Sequence, residues 1–302
     1  MMDSIASPRT ATTTRRGFLS AAALSALALT ACGQSPRASQ NPSPPVHSPA
    51  STTSLSPTRP ASSQSPTGTT ALQASADTER APAAWGTHLP GVHASVPTQG
   101  GRRTLALTFD ACGGPHGSAV DHHLLDTLQN AQVPATLFLN ERWIRSNPAM
   151  TAELASDPLF RLENHGTLHV PLSVTGRSAY GIAGTTGPAA VAEEIESNRS
   201  HLLDSVGVQS TWFRSGTAHY DDVAVDIAHS LGIQLAGFTV NADAGATATS
   251  TAVAQQLMNA PDGAIVLAHM NQPAGGTASG VRAALAPLRD QGTQFVHLGA
   301  QL

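Results

Sequence analysis

From Thr104 onward the apolar residues fall into two alternating patterns. Short β-branched or apolar runs at 104–109, 134–139, 160–164, 211–214, 233–240, 263–268 and 294–298 read as strands. Longer amphipathic stretches between them, at 119–131, 146–156, 188–206, 221–231, 250–260 and 278–290, read as helices. Pro188 suits the first turn of its helix, and Glu193, Glu194 and Glu196 fall in the N-terminal half, where the helix dipole favours acids. Val223, Ile227 and Leu231 recur at helical spacing and give the next helix one apolar face. Gly263 and Gly292 punctuate the final strands. This alternation predicts an α/β domain with a parallel sheet, and seven strand candidates predict a distorted (β/α)7-type barrel, closed or nearly so, as a single catalytic domain.

The pattern before residue 101 is different. Thr14-Arg15-Arg16-Gly17-Phe18-Leu19 resembles a twin-arginine export motif, and the Ala/Leu run after it is too short for a comfortable membrane span. That run ends in Leu29-Thr30-Ala31-Cys32-Gly33, which resembles a bacterial lipobox with Cys32 as the lipid-bearing residue. Residues 1–32 are therefore expected to be a lipoprotein signal, placing the protein outside the cytoplasm, lipid-anchored to the outer face of the cytoplasmic membrane. Residues 33–100 are rich in Ser, Thr and Pro with few large apolar side chains, so they are expected to form a disordered tether. As a flexible coil it would reach on the order of 40–50 Å. Residues 101–302 are left as the catalytic domain, long enough to bury a sizeable core.

Charge and cysteine content narrow the partners. The net charge is −4 and no basic stripe interleaved with aromatics occurs, which argues against nucleic acid. The chain has two cysteines, so with Cys32 lipidated Cys112 has no disulfide partner. No sequence feature specifies an oligomeric state.

Candidate chemistry gathers at the ends of the strand runs. Asp110 closes Leu105-Ala-Leu-Thr-Phe109, His165 and His169 follow the run beginning at Phe160, and His269 closes Ala264–Ala268. In a parallel barrel all these exits lie on one face, where active sites are assembled. Two histidines four residues apart can offer two nitrogens to one metal if the chain turns tightly between them, and Gly166 and Pro171 favour one tight turn. Asp110 can reach the same space. His116, His122, His123, His201, His229 and His297 read as solvated or half-buried positions, whereas Asn140, at the exit of the second run, is a cavity candidate.

With those residues in view, the domain resembles the polysaccharide deacetylase family (the NodB homology domain), carbohydrate esterases that remove acetyl groups from glycans. Five stretches carry the resemblance: Thr108-Phe109-Asp110, His165-Gly166-Thr167-Leu168-His169, Phe213-Arg214, the segment Phe238–Asp243, and Leu267-Ala268-His269. The resemblance implies a NodB-like deacetylase fold and hydrolysis of an extracytoplasmic, peptidoglycan-type or other N-acetylated glycan. It also implies a divalent metal, zinc foremost with cobalt or nickel as alternatives, at Asp110, His165 and His169. The metal would lower the pKa of a water and stabilise the oxyanion. Asp110 would be the general base, His269 the general acid, and Arg214 the cation that keeps Asp110 ionised. Asn241 or Asp243 would orient His269; Asn164 and Tyr220 would support the site or the substrate groove.

The resemblance is not complete. The family usually carries two adjacent aspartates in its first motif, base then ligand, and the second position here is Ala111. Three completions are open: Asp110 serves as ligand and base together, Cys112 supplies a thiolate, or the metal is weak or absent. The strand exit aims Asp110 at the pocket and favours the first; Cys112, in a tight glycine turn, reads on its own as a small packing residue. Two other functions stay in play: a metal-free glycan-binding pseudoenzyme, and a metal-independent amidohydrolase of the same fold.

Overall fold

The computed structural model describes residues 78–98 and 100–300. The export signal, Cys32 and most of the expected tether lie outside the described residues. Eleven strands and seven helices occur among them. The main sheet contains β2 (Val92–His93), β3 (Thr104–Ala111), β4 (Ala135–Leu139), β5 (Phe160–Asn164), β6 (Trp212–Phe213), β8 (Gln234–Ala236), β9 (Val240–Asn241), β10 (Ala264–His269) and β11 (Gln294–Phe295). Its order is β2-β8-β6-β5-β4-β3-β10-β9, with β11 added to the start of β3, and every pairing is parallel. The sheet curls into a half-barrel. Parallel pairing needs long crossovers, which the helices α1 (His122–Asn130), α2 (Glu141–Ser146), α3 (Pro148–Ser156), α4 (Pro188–Val206), α5 (Asp222–Ser230), α6 (Ser250–Met258) and α7 (Thr277–Asp290) supply.

Side-chain alternation on β3 explains how one strand serves both a core and a site. Leu105, Leu107, Phe109 and Ala111 join the apolar layer that includes Leu124 and Leu128 of α1 and Val281 and Leu285 of α7. Ala106 faces the other way, into a smaller layer with Phe138, Ile265 and Leu298. Thr108 and Asp110 continue that inner row, so the polar end of the row emerges where the strand stops. A third layer, with Phe213, Leu235, Val191 and Val223, packs α4 and α5 beneath β6 and β8.

The boundaries depart from expectation where capping or pairing decides them. The first helix begins at His122, later than 119, because the Asp121 carboxylate caps it by accepting from the Leu124 amide at 3.1 Å. The helix expected at 146–156 is preceded by a separate one, α2, and Pro148 opens α3 after the break at Asn147. The run expected as one strand over 233–240 splits into β8 and β9, because the Gly237 amide bonds to the His93 carbonyl while the Thr239 amide bonds to that of Ile265.

The domain also starts earlier than residue 101. Arg80 pairs with Asp222 and Asp226 at 2.6 and 2.8 Å, and β1 (Trp85–Gly86) forms a small antiparallel sheet with β7 (Tyr220–Asp221). β2 pairs with β8, and three residues on Ser95 bridges Ala264 of β10. Residues 92–95 thus stitch together strands from both halves of the curled sheet, and the segment from 78 is part of the fold and not of a tether. Its short strands and scarce apolar residues give it no periodicity to read.

Candidate active site

The exits of β3, β5, β6 and β10 meet at one end of the sheet. Asp110 and His269 are partners in the β3–β10 register, so pairing alone sets the two groups side by side. Arg214, immediately after β6, is wholly buried beneath them. Its guanidinium donates to Asp110 Oδ1 at 2.7 Å, to Thr108 Oγ1 at 2.9 Å and to the carbonyls of Gly237 and Ala236 at 3.0 and 3.3 Å, with the Phe138 ring 4.3 Å away. Burial pushes the Asp110 carboxyl up, but the charges of Arg214, then His165 and His269, outweigh it and hold the group below the usual carboxylate range. Asp110 is thus an anion within reach of solvent in the cavity yet tied at one oxygen.

His269 is oriented from behind. Asp243, fully buried, accepts from its ring Nδ1 at 2.9 Å and from its backbone amide at 2.7 Å, and Thr277 Oγ1 donates to the same carboxylate at 2.8 Å. An ionised carboxylate only accepts, so Nδ1 carries the proton and Nε2 is the nitrogen left for chemistry. Burial pushes the imidazole down; Asp243 and then Cys112 overcome this and raise it well above its ordinary value. The group is therefore an acid at neutral pH.

His165 and His169 are brought together by the turn that leaves β5. His165 is buried, and its Nδ1 donates to the Arg214 carbonyl at 2.8 Å, so Nε2 is the nitrogen that faces Asp110 Oδ2 at 3.6 Å and Cys112 Sγ at 3.9 Å. His169 adopts a left-handed backbone (φ 64°) and its ring stands 4.8 Å from that of His165. Its Nε2 is buried with no hydrogen-bond partner. Glu194 on α4 pins this turn by accepting from the amides of Leu168 and His169 at 2.9–3.1 Å. Burial raises its carboxyl to about 7 against those donors. Two glycines permit the packing: a Cβ at Gly166 would lie 2.3 Å from Glu194 Oε1, and one at Gly216 would lie 2.3 Å from the His169 carbonyl carbon.

Among the described residues, Cys112, His165 and His169 form a group whose donor atoms all lie within 4.8 Å of one another. Burial pushes the Cys112 thiol up, but the nearby imidazoles of His165, His169 and His269 hold it well below its usual value. A set of two imidazoles and a thiolate, one nitrogen of it orphaned, suits a divalent cation. Cys112 is thus a member of the cluster and not merely a small side chain filling a turn.

The other expected residues take varied places. Asn241 lies at the cavity mouth and caps the turn to Ala244. Asn164 is buried behind the site, bonded to the Ile195 carbonyl, the Gly166 amide and Asn198. Tyr220 is also fully buried; its hydroxyl accepts from the Ser215 amide and donates to Ala236, and burial pushes its pKa to about 12. It therefore braces the loop after β6 and does not touch the groove. Asn140 likewise is buried, donating to the carbonyls of His165 and Gly166. The cavity, about 400 Å³, has Asp110 and His269 at its floor, Phe238 and Gly216–Ala218 on its walls, and Tyr180 (81% exposed) at its rim. Tyr180 goes unread in the sequence because it sits in an irregular loop, and Glu194 reads there only as one acid of a helix run favoured by the dipole.

Comparison with known proteins fits this arrangement. A polysaccharide deacetylase family profile matches residues 98–236. The uncharacterised protein YlxY of Bacillus subtilis is 26% identical over 172 residues, 56% of this chain and 49% of that protein, so the chain spans about half the length of this curated relative. Among solved structures, a family 4 carbohydrate esterase pseudoenzyme from Bacillus anthracis superposes with a TM-score of 0.55 at 20% identity, over 66% of this chain and 65% of that one. A peptidoglycan N-acetylglucosamine deacetylase gives 0.56 at 20% identity, over 68% and 89%. These likenesses carry the fold. Residues 98–236 match the polysaccharide deacetylase family, and the elements after them complete a NodB-type fold.

Proposed function

We propose that this protein is a metal-dependent deacetylase acting on an N-acetylated glycan outside the cytoplasm. The observation that carries the reading is the pairing of two oppositely poised groups, an Arg214-held Asp110 and an Asp243-held His269, side by side at the floor of one cavity next to the paired imidazoles. His165 and His169 would hold a divalent cation together with a donor from the β3 exit. When bound, the cation lowers the pKa of a water and polarises the acetyl carbonyl. Asp110 Oδ2 is the oxygen that Arg214 leaves free, and it takes the water's proton. His269 Nε2 returns a proton to the departing amine, while Asp243 balances the imidazolium charge. Arg214 fixes the angle of the base and keeps it ionised. Tyr180 offers a ring at the rim on which a sugar can stack.

Support for a cell-wall substrate comes from the likeness to a peptidoglycan deacetylase and from the export motif with its lipobox Cys32. A glycan-binding pseudoenzyme is favoured by two observations, the alanine at 111 and a structural neighbour that is a pseudoenzyme. Release of acetate from N-acetylated glycan oligomers separates the two. The purified protein should turn over, with the rate reduced about 10²–10⁴-fold in Asp110→Asn. Absence of turnover with intact oligomer binding would favour the pseudoenzyme.

A further inference from the structure

We propose that the Cys112 thiolate is the third protein ligand of the metal, so that the cation sits in a sulfur–nitrogen–nitrogen set and Asp110 stays out of the coordination sphere as base. The inference rests on reading this site as a metal centre, and it names the donor that replaces the aspartate missing at Ala111.

The backbone makes the replacement possible. Ala111 belongs to the apolar layer shared with Leu139 and Trp143, away from the inner row. Asp110 and Cys112, two residues apart, both reach His165 Nε2, with Oδ2 at 3.6 Å and Sγ at 3.9 Å. A donor at 112 therefore enters the space that one at 110 enters.

Distance to His165 does not separate the two, Oδ2 being the nearer; the compactness of the donor group and the hydrogen bonds do. Around a tetrahedral zinc with Zn–S of about 2.3 Å and Zn–N of about 2.0–2.1 Å, neighbouring donor atoms stand roughly 3.3–3.6 Å apart. The Sγ–Nε2 separation of 3.9 Å is within a few tenths of that, and the whole group of Cys112, His165 and His169 fits inside 4.8 Å. Small side-chain rotations would close it on a cation. His165 turns its Nε2 into the group because its Nδ1 is spent on the Arg214 carbonyl, and His169 Nε2 is buried without a partner, a cost that coordination removes. Asp110 has the opposite character: one oxygen is bound to a buried guanidinium, and the carboxylate is outside the compact group. With a thiolate donor the set is softer than one of carboxylate and imidazole, and it selects zinc or cobalt over magnesium or manganese.

Cobalt(II) titration of the metal-stripped full chain tests this without any turnover. The expected result is a thiolate-to-cobalt charge-transfer band in the near ultraviolet that saturates at one equivalent. The chain has two cysteines, so the band must survive Cys32→Ser and vanish in Cys112→Ser. Zinc affinity, read by competition with a chromophoric chelator, should fall at least about 100-fold in Cys112→Ser, more than a lost supporting contact costs. Cys112→Asp, which restores a donor, should bind cobalt without the band and guards against a variant that fails to fold. Stoichiometric cobalt with no band, or wild-type zinc affinity in Cys112→Ser, overturns the assignment while leaving deacetylation untouched. A band in a protein that releases no acetate would leave the ligand standing and remove the enzyme reading.

Discussion

Arg214→Met is the most searching perturbation of the site's electrostatics. The guanidinium is fully buried and satisfies Asp110, Thr108 and two carbonyls, so methionine fills part of the volume but leaves a buried carboxylate without its cation. Removing one partner of a buried pair costs about 3–5 kcal/mol, which for a domain of this size is a Tm drop on the order of 10 °C. The pH dependence identifies the cause. In the wild type Asp110 is held below its unfolded value, so its contribution is present above the carboxylate range and fades as pH falls through the folded value. Without Arg214 only His165 and His269 oppose burial and the group rises, so the variant's deficit should be largest at neutral pH and shrink toward pH 4. Urea unfolding at both pH values, with Asp110→Asn added to Arg214→Met, completes a double-mutant cycle. The second change should recover about 2 kcal/mol at pH 7. A deficit under about 1 kcal/mol, or one indifferent to pH and to Asp110→Asn, would refute the argument that Arg214 exists to hold this carboxylate.

Two further outcomes follow from the buried acids. In Asp243→Asn the imidazole of His269 loses the carboxylate that raises it, so the basic limb of the pH–rate profile should move to lower pH, with activity down on the order of 10²-fold; an unmoved limb would remove His269 as the acid. Glu194 stands near 7 in the fold against an ordinary 4.5, so it favours folding fully below about 4.5 and not above about 7. At about 1.4 kcal/mol per unit this is on the order of 3 kcal/mol lost as pH rises across that window. Glu194→Gln should flatten that slope in chemical denaturation, and an unchanged slope would place the titration elsewhere.

Much of this site is legible in the sequence because parallel strands end where chemistry begins. Asp110 and His269 terminate apolar runs that pairing sets in register, and the spacing of His165 and His169 marks a turn. Hydrophobic periodicity locates most helices for the same reason, since each must bury one face on the sheet. What it does not carry is pairing by backbone alone. β1, β2 and β7 are two residues long, and residues 92–95 join the sheet through amides and carbonyls that any side chain allows. Burial of polar groups is equally silent: nothing in the sequence distinguishes Tyr220 or Asn140 at the foundation from Asn241 at the mouth. Cys112 looks like a packing residue until the turns after β3 and β5 are folded against each other, and only then does its sulfur meet two imidazoles.

On the proposed reading, side chains from separate strands converge on a cation that activates water. Acetate release from an N-acetylated glycan oligomer, followed before chelation, after chelation and after one equivalent of zinc, decides whether it does. Activity should disappear on stripping, return with zinc, and fail to return in His165→Ala. Undiminished acetate release from the stripped protein would contradict it.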